Sequence, residues 1–137
     1  MNSRFLLASS ILALLFAGPK STYAQAEKES GVKEAMRQKV AYSQQVLVGI
    51  TLEDYRLIAN NAEKLVELSN KTNWYSRQMS EYELFLNEFR RNAQQLKEAG
   101  QQKNLDAASL AYVQMTLSCV SCHQFIRKSS DTASHSH

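Results

Sequence analysis

The chain has almost nothing in it that breaks a helix. Of 137 residues, one is proline and four are glycine. The proline is Pro19, and after Gly31 only Gly49 and Gly100 remain. Such scarcity argues against a strand-and-hairpin architecture, whose turns demand glycine, proline or asparagine at short intervals. Only two cysteines occur, which excludes the disulfide framework of a small secreted scaffold. No apolar run reaches the ~20 residues that a transmembrane helix needs. A strong charge of one sign is missing too: 16 Lys and Arg stand against 13 Asp and Glu. Nothing in that balance points to nucleic acid as a partner. No internal repeat is readable, and the only biased segment is a Ser- and His-containing tail at the C-terminus.

What is present is Ala, Leu, Gln, Glu and Lys, the composition of an all-α protein. The first helix is expected from about Val32 to Gly49, with Val32, Met36, Val40, Leu47 and Ile50 as its apolar stripe. Thr51 and Asp54 read as a capping box for a second helix, which buries Ile58, Ala62, Leu65 and Leu68. Asn70 to Arg77 reads as a polar connection. Ser80 and Glu83 form another capping box, and the third helix buries Tyr82, Phe85, Phe89, Ala93 and Leu96 before ending at Gly100. Asn104 caps the fourth, which runs from Leu105 to about Arg127 through Ala108, Ala111, Met115, Cys119, Cys122 and Ile126. Four such helices with short connections predict an antiparallel four-helix bundle.

Both cysteines fall in one short run, Cys119-Val120-Ser121-Cys122-His123. This C-x-x-C-H pattern reads as a covalent c-type haem attachment site on the C-terminal helix. Two thiols bond the vinyl groups of one haem, and the adjacent imidazole ligates its iron. Three readings compete. Half a zinc site would need a second Cys/His pair at finger spacing, and none is there. A thioredoxin-like redox pair would need a βαβ context, which is absent. Coincidence is the third. His135 and His137 sit in the polar tail; an inert tail is the plain reading of them, and weak metal binding the other.

The N-terminus agrees with haem attachment. Asn2-Ser3-Arg4 precedes an apolar run from Phe5 to Phe16, which Gly18-Pro19 breaks, and small residues follow to Ala26. That is the pattern of a secretory signal, cut after Ala24 or Ala26, with a retained anchor as the alternative. Haem c is attached on the exported side of bacterial membranes, so a periplasmic location is expected. The expected organisation is residues 1–26 as signal, 27–128 as the bundle and 129–137 as a disordered tail. Cleavage removes Arg4 and Lys20, leaving 14 basic against 13 acidic residues.

On these features the chain resembles the cytochrome c-prime family, from about Val32 to Lys128. The family ends in C-x-x-C-H with a basic residue four after the histidine, here Arg127. Asn104-Leu105-Asp106 is similar to the start of its last helix, and Arg37-Gln38 to an Arg-Gln pair in its first. The resemblance implies one covalent haem c per chain, with His123 as the proximal iron ligand. It implies an open distal face that binds nitric oxide or carbon monoxide. A related low-spin subgroup carries electrons to a redox partner protein through a methionine-ligated iron. Many members are homodimers through the first two helices.

Arg127 lies one turn beyond His123 and is placed to cover the proximal side; the plain alternative is a solvated arginine near a helix C-terminus. Arg37 is expected to pair with a haem propionate, or to be an ordinary surface residue. Counting from Arg37 puts the family's distal position near Val40, Ala41 or Gln44, none of them a thioether or imidazole. Met36 is the one methionine in this helix, either core filler or a sixth ligand. Two functions therefore stand from sequence, a gas-binding haem protein and an electron carrier, with a haem-free bundle holding a disulfide as the remote third. No constellation for turnover chemistry is readable, so the chain is not expected to be an enzyme.

Overall fold

The computed structural model describes residues 20–71 and 80–134, with side chains over 30–71 and 81–131. These residues form four α-helices and no strand. They are α1 (Lys20–Thr51), α2 (Tyr55–Lys71), α3 (Ser80–Gln101) and α4 (Leu105–Ser134). The chain separates into Met1–Lys33 and Glu34–His137, and the second unit carries the helical bundle. The segment expected to be a secretory signal lies largely outside the described residues, as do His135 and His137.

Two tight turns make two helical hairpins, and the turns are the same structure. In the first, Asp54 N–H donates to Gly49 C=O at 2.9 Å and Glu53 N–H to Ile50 C=O at 3.3 Å. In the second, Asn104 N–H donates to Ala99 C=O at 2.9 Å and Lys103 N–H to Gly100 C=O at 3.2 Å. Both are Schellman ends, in which two backbone donors beyond the helix satisfy its last free carbonyls. The residue in the left-handed conformation is Glu53 (φ 53°) in one and Lys103 (φ 54°) in the other. Next in sequence comes the cap of the following helix. Asp54 Oδ1 accepts from Leu57 N–H at 2.9 Å, and Asn104 Oδ1 from Ala107 N–H at 3.0 Å. Asp54 and Asn104 thus close one helix and open the next, so no spare linker residue remains.

Three expectations change here. Asp54 is the cap of α2, whereas Thr51 belongs to α1 and its hydroxyl donates back to Val48 C=O at 2.9 Å. Gly49 and Gly100 end neither helix; their use is close approach. A Cβ at Gly49 would stand 2.8 Å from Ile58 Cγ1, and one at Gly100 2.9 Å from Ala59 N and 3.1 Å from Ile58 Cγ2. And α4 continues to Ser134, through the first residues of the tail, with the hydroxyls of Ser129 and Ser130 bonded back to Phe125 and Ile126 C=O.

The core holds Val46 from α1, Ile58, Ala62 and Leu65 from α2, Phe89, Ala93 and Leu96 from α3, and Ala108, Ala111 and Met115 from α4. The expected stripes of α2 and α4 are the buried ones in outline, although Ser69 and Ser118 are buried and Leu68 is only half-buried. The stripe of α1 is not the expected one. Ala35, Lys39, Val46 and Gly49 face inward, while Val40 is 57% exposed and Leu47 46%. The true face is one residue back, a rotation of about 100° on a helix of 3.6 residues per turn. Large apolar side chains are also exposed at Val48, Leu52 and Leu84, and along α4 at Leu110, Val113, Leu117 and Val120. Lys97 Nζ and Glu63 Oε1 meet at 2.8 Å between α3 and α2. That pair is partly exposed and contributes ~1 kcal/mol at most.

The glycines and the left-handed residues give opposite expectations. Gly100→Ala gains helix propensity of ~1 kcal/mol, yet it drives a methyl into the α2 backbone, so the net loss is about 1–2 kcal/mol. Lys103→Gly relieves left-handed strain and stabilises by about 1 kcal/mol. Urea unfolding of the two variants beside wild type measures both signs. A Gly100→Ala chain more stable than wild type would remove the close approach at α2.

Candidate functional site

The register of α4 carries the C-x-x-C-H run toward the interior. Met115 and Ser118 are buried, and Ser118 Oγ donates to Met115 C=O at 2.7 Å, which satisfies that hydroxyl. Cys119 and Cys122 follow on the same side as half-buried free thiols. They open into a cavity of about 550 Å³. That lies within the ~300–1,000 Å³ of pockets that enclose small ligands.

Three helices wall the cavity. α4 supplies Cys119, Cys122, His123 and Ile126; α1 supplies Met36, Lys39, Val40 and Ser43; α3 supplies Tyr82, Phe85, Leu86 and Phe89. Phe85 also packs on Phe125 with ring centroids 5.4 Å apart, which ties α3 to α4 beside the cavity. No described wall residue is α2's, and none is an Asp or Glu. The walls are therefore mostly apolar and aromatic, with two half-buried thiols and one buried amine among them, and His123 lies exposed at the margin.

The amine is Lys39. It is only 9% exposed, and its ammonium lies 4.6 Å from the centre of the Phe89 ring. A cation over an aromatic face recovers part of what it loses on leaving water. Burial still pushes the Lys39 amine below its ordinary value, and the neighbouring Arg90 charge adds to this, while Cys119 and Cys122 pull the other way. The thiols respond in mirror image. Burial pushes both Cys119 and Cys122 up, and Lys39 draws both back down. Arg90 adjoins Phe89 on α3. Its Nη1 donates to Asn87 Oδ1 at 2.9 Å, but its Nε and Nη2 are buried with no acceptor.

The residues read from sequence fall into three groups. Cys119, Cys122 and His123 all line the cavity, the two cysteines half-buried and His123 exposed. Arg37 reaches the wall, but its side chain is 79% exposed and paired with Glu34. Gln38 donates to the same carboxylate at 2.8 Å, and that bond, with the Arg37 charge, holds Glu34 below the usual carboxylate value. The Arg37-Gln38 pair thus engages a carboxylate of its own helix. Arg127 is exposed one turn past His123 and is not a wall residue. Of the distal candidates, Met36, Val40 and Gln44 line the cavity and Ala41 does not. Lys39 is a wall residue that sequence reasoning missed; Arg90 is not on the wall. Among the described residues no three His, Cys, Asp or Glu side chains gather as a metal site. No family model matches the chain, and neither a curated protein nor a solved structure matches it.

The thiol–amine coupling is measurable. In haem-free protein, alkylation of Cys119 and Cys122 by iodoacetamide is expected to rise with pH along a curve centred above the ~8.5 of an ordinary thiol. Lys39→Met removes the charge that favours the thiolates, so the curve moves to still higher pH and the rate at pH 8 falls. A variant alkylated at the wild-type rate would place Lys39 out of reach of both sulfurs.

Proposed function

We propose that the chain is an exported, periplasmic c-type cytochrome that carries one covalent haem c and binds small gases. The observation that carries this reading is the common, mostly apolar cavity that Cys119, Cys122 and His123 line. Cys119 and Cys122 each add a sulfur to one carbon of a vinyl group and the thiol hydrogen to the other, leaving thioethers. His123 offers its imidazole to the iron. When bound, haem supplies an iron whose sixth position takes a small gas and whose couple carries one electron. Tyr82, Phe85, Leu86 and Phe89 would present ring and aliphatic carbon to the haem. On α1, Val40 has no donor atom, and the hydroxyl of Ser43 and amide of Gln44 are poor partners for iron beside imidazole or thioether. These features support a five-coordinate iron that takes up nitric oxide or carbon monoxide.

One observation favours a second reading, a low-spin electron carrier. Met36 lines the same cavity from α1 and is half-buried, so a thioether is available on the wall. The two readings differ in the ferrous spectrum.

Full-length protein exported from a strain that matures c-type cytochromes is expected to carry the mass of one haem. Cys122→Ala loses one thioether, and His123→Ala loses the high-spin ferrous spectrum and the carbon monoxide adduct. A wild-type chain without added mass ends the haem reading. A wild-type spectrum that is low-spin, and turns high-spin in Met36→Ala, replaces the gas binder with the electron carrier.

A further inference from the structure

We infer that a second copy of the chain docks on the outward face of α4, the two α4 helices antiparallel about a two-fold axis at the level of Met115. The inference goes beyond the haem reading and stands without it. It starts from four exposed side chains, Leu110 (61%), Val113 (53%), Leu117 (59%) and Val120 (48%). A single exposed leucine is ordinary on a protein surface, whereas a contiguous apolar patch marks a contact surface. At 100° per residue these four lie within about 80° of the circumference of α4. From Ala107 to Ile126 the helix carries no Asp, Glu, Lys or Arg. Cys119 and Cys122 are turned about 150° away, so a partner on this face does not compete for the cavity.

The other helices offer less. α2 exposes Arg56, Glu63, Lys64 and Glu67, and α3 exposes Glu83, Arg91 and Glu98. α1 exposes Val40, Leu47, Val48 and Leu52, but these spread over about 140° and form no single stripe. The charged surface of α2 also disfavours a dimer through the first two helices.

Self-complementarity identifies the occupant as a second copy. The four residues are spaced by three, four and three, the spacing of a coiled-coil seam. Set against itself in reverse, the stripe brings Leu110 of one copy to Val120 of the second and Val113 to Leu117, so every apolar side chain meets another. The same register brings Asp106 opposite Gln124 and one turn from Arg127, all three exposed in the single chain. An amide and a guanidinium can donate to that carboxylate, and the two-fold axis repeats the contact at the other end. The seam from Asp106 to Arg127 is about 30 Å long. A different protein recruited by diffusion would be steered by charge, and this face has none between its ends.

Sedimentation equilibrium of the full-length exported protein reads the number of chains. Wild type is expected to have the mass of two chains, and its unfolding midpoint to rise with chain concentration. Val113→Lys and Leu117→Glu are each expected to sediment as single chains with unchanged helical circular dichroism. Their self-association weakens by about a hundredfold or more, because the axis buries each new charge twice. Mixed together, the two variants recover a two-chain species, since position 113 of one faces position 117 of the other and the new charges are opposite. Leu47→Glu on α1 leaves two chains.

A wild type of one chain at every concentration overturns the proposal, whether the face then meets a different protein or nothing. That result needs no variant, so misfolding of a variant does not shield it. A Leu117→Glu protein that keeps two chains overturns it too, as does a Leu47→Glu protein that loses them or a mixture that stays single. The haem mass is read separately, so failure of either reading leaves the other standing.

Discussion

Ile58 sits between two glycines, and much of the bundle follows from that contact. Its Cγ1 faces the bare Cα of Gly49 on α1 and its Cγ2 that of Gly100 on α3, while Ile58 itself is fully buried. Neither neighbour leaves space for a methyl, so α2 approaches both backbones at van der Waals distance. That contact sets the rotation of α1. With Gly49 facing Ile58, stepping back by three and four residues along the helix brings Val46, Tyr42, Lys39 and Ala35 to the same side. Lys39 is interior for this reason. Its burial is the far consequence of a packing contact at the other end of the helix, and no apolar pattern around it demands it.

The same contact explains what was legible in the sequence. α2 and α4 could be read because their buried residues are mostly apolar and recur at helical spacing, as Ile58, Ala62 and Leu65 do. Asn104 was readable as a cap because side-chain chemistry makes it one. On α1 the inward side chains include an alanine, a lysine and a glycine. The hydrophobic residues one position on, Val40 and Leu47, gave the stronger pattern and are exposed. Hydrophobic periodicity fails where close approach selects for small residues. The repeat of the hairpin turn, 50 positions from Glu53 to Lys103, stayed hidden for a related reason. It lives in backbone hydrogen bonds, and its two left-handed residues carry opposite charges.

In the site, the thiols and imidazole were legible because their spacing is itself the chemistry. The cavity around them was not, since it is assembled from three helices. Arg37 shows the limit of position-by-position transfer. Its place in the sequence suggested a role toward the cofactor, but Glu34, one turn before it, provides a nearer carboxylate. Lys39 carried no sequence signal at all, because a lysine reads as a solvated residue and only its burial on the cavity wall sets it apart.

The turn end and the cavity end of the bundle stand in contrast. Near the turns, small residues and tight caps leave no space and no buried charge. At the cavity, aromatic walls surround two thiols, and one amine, that of Lys39, is held almost wholly out of water against the Phe89 ring. Burying that amine costs stability which the aromatic face returns only in part. The cavity end is therefore the part of the bundle that a bound ligand can stabilise, because binding to the native state alone shifts the folding equilibrium.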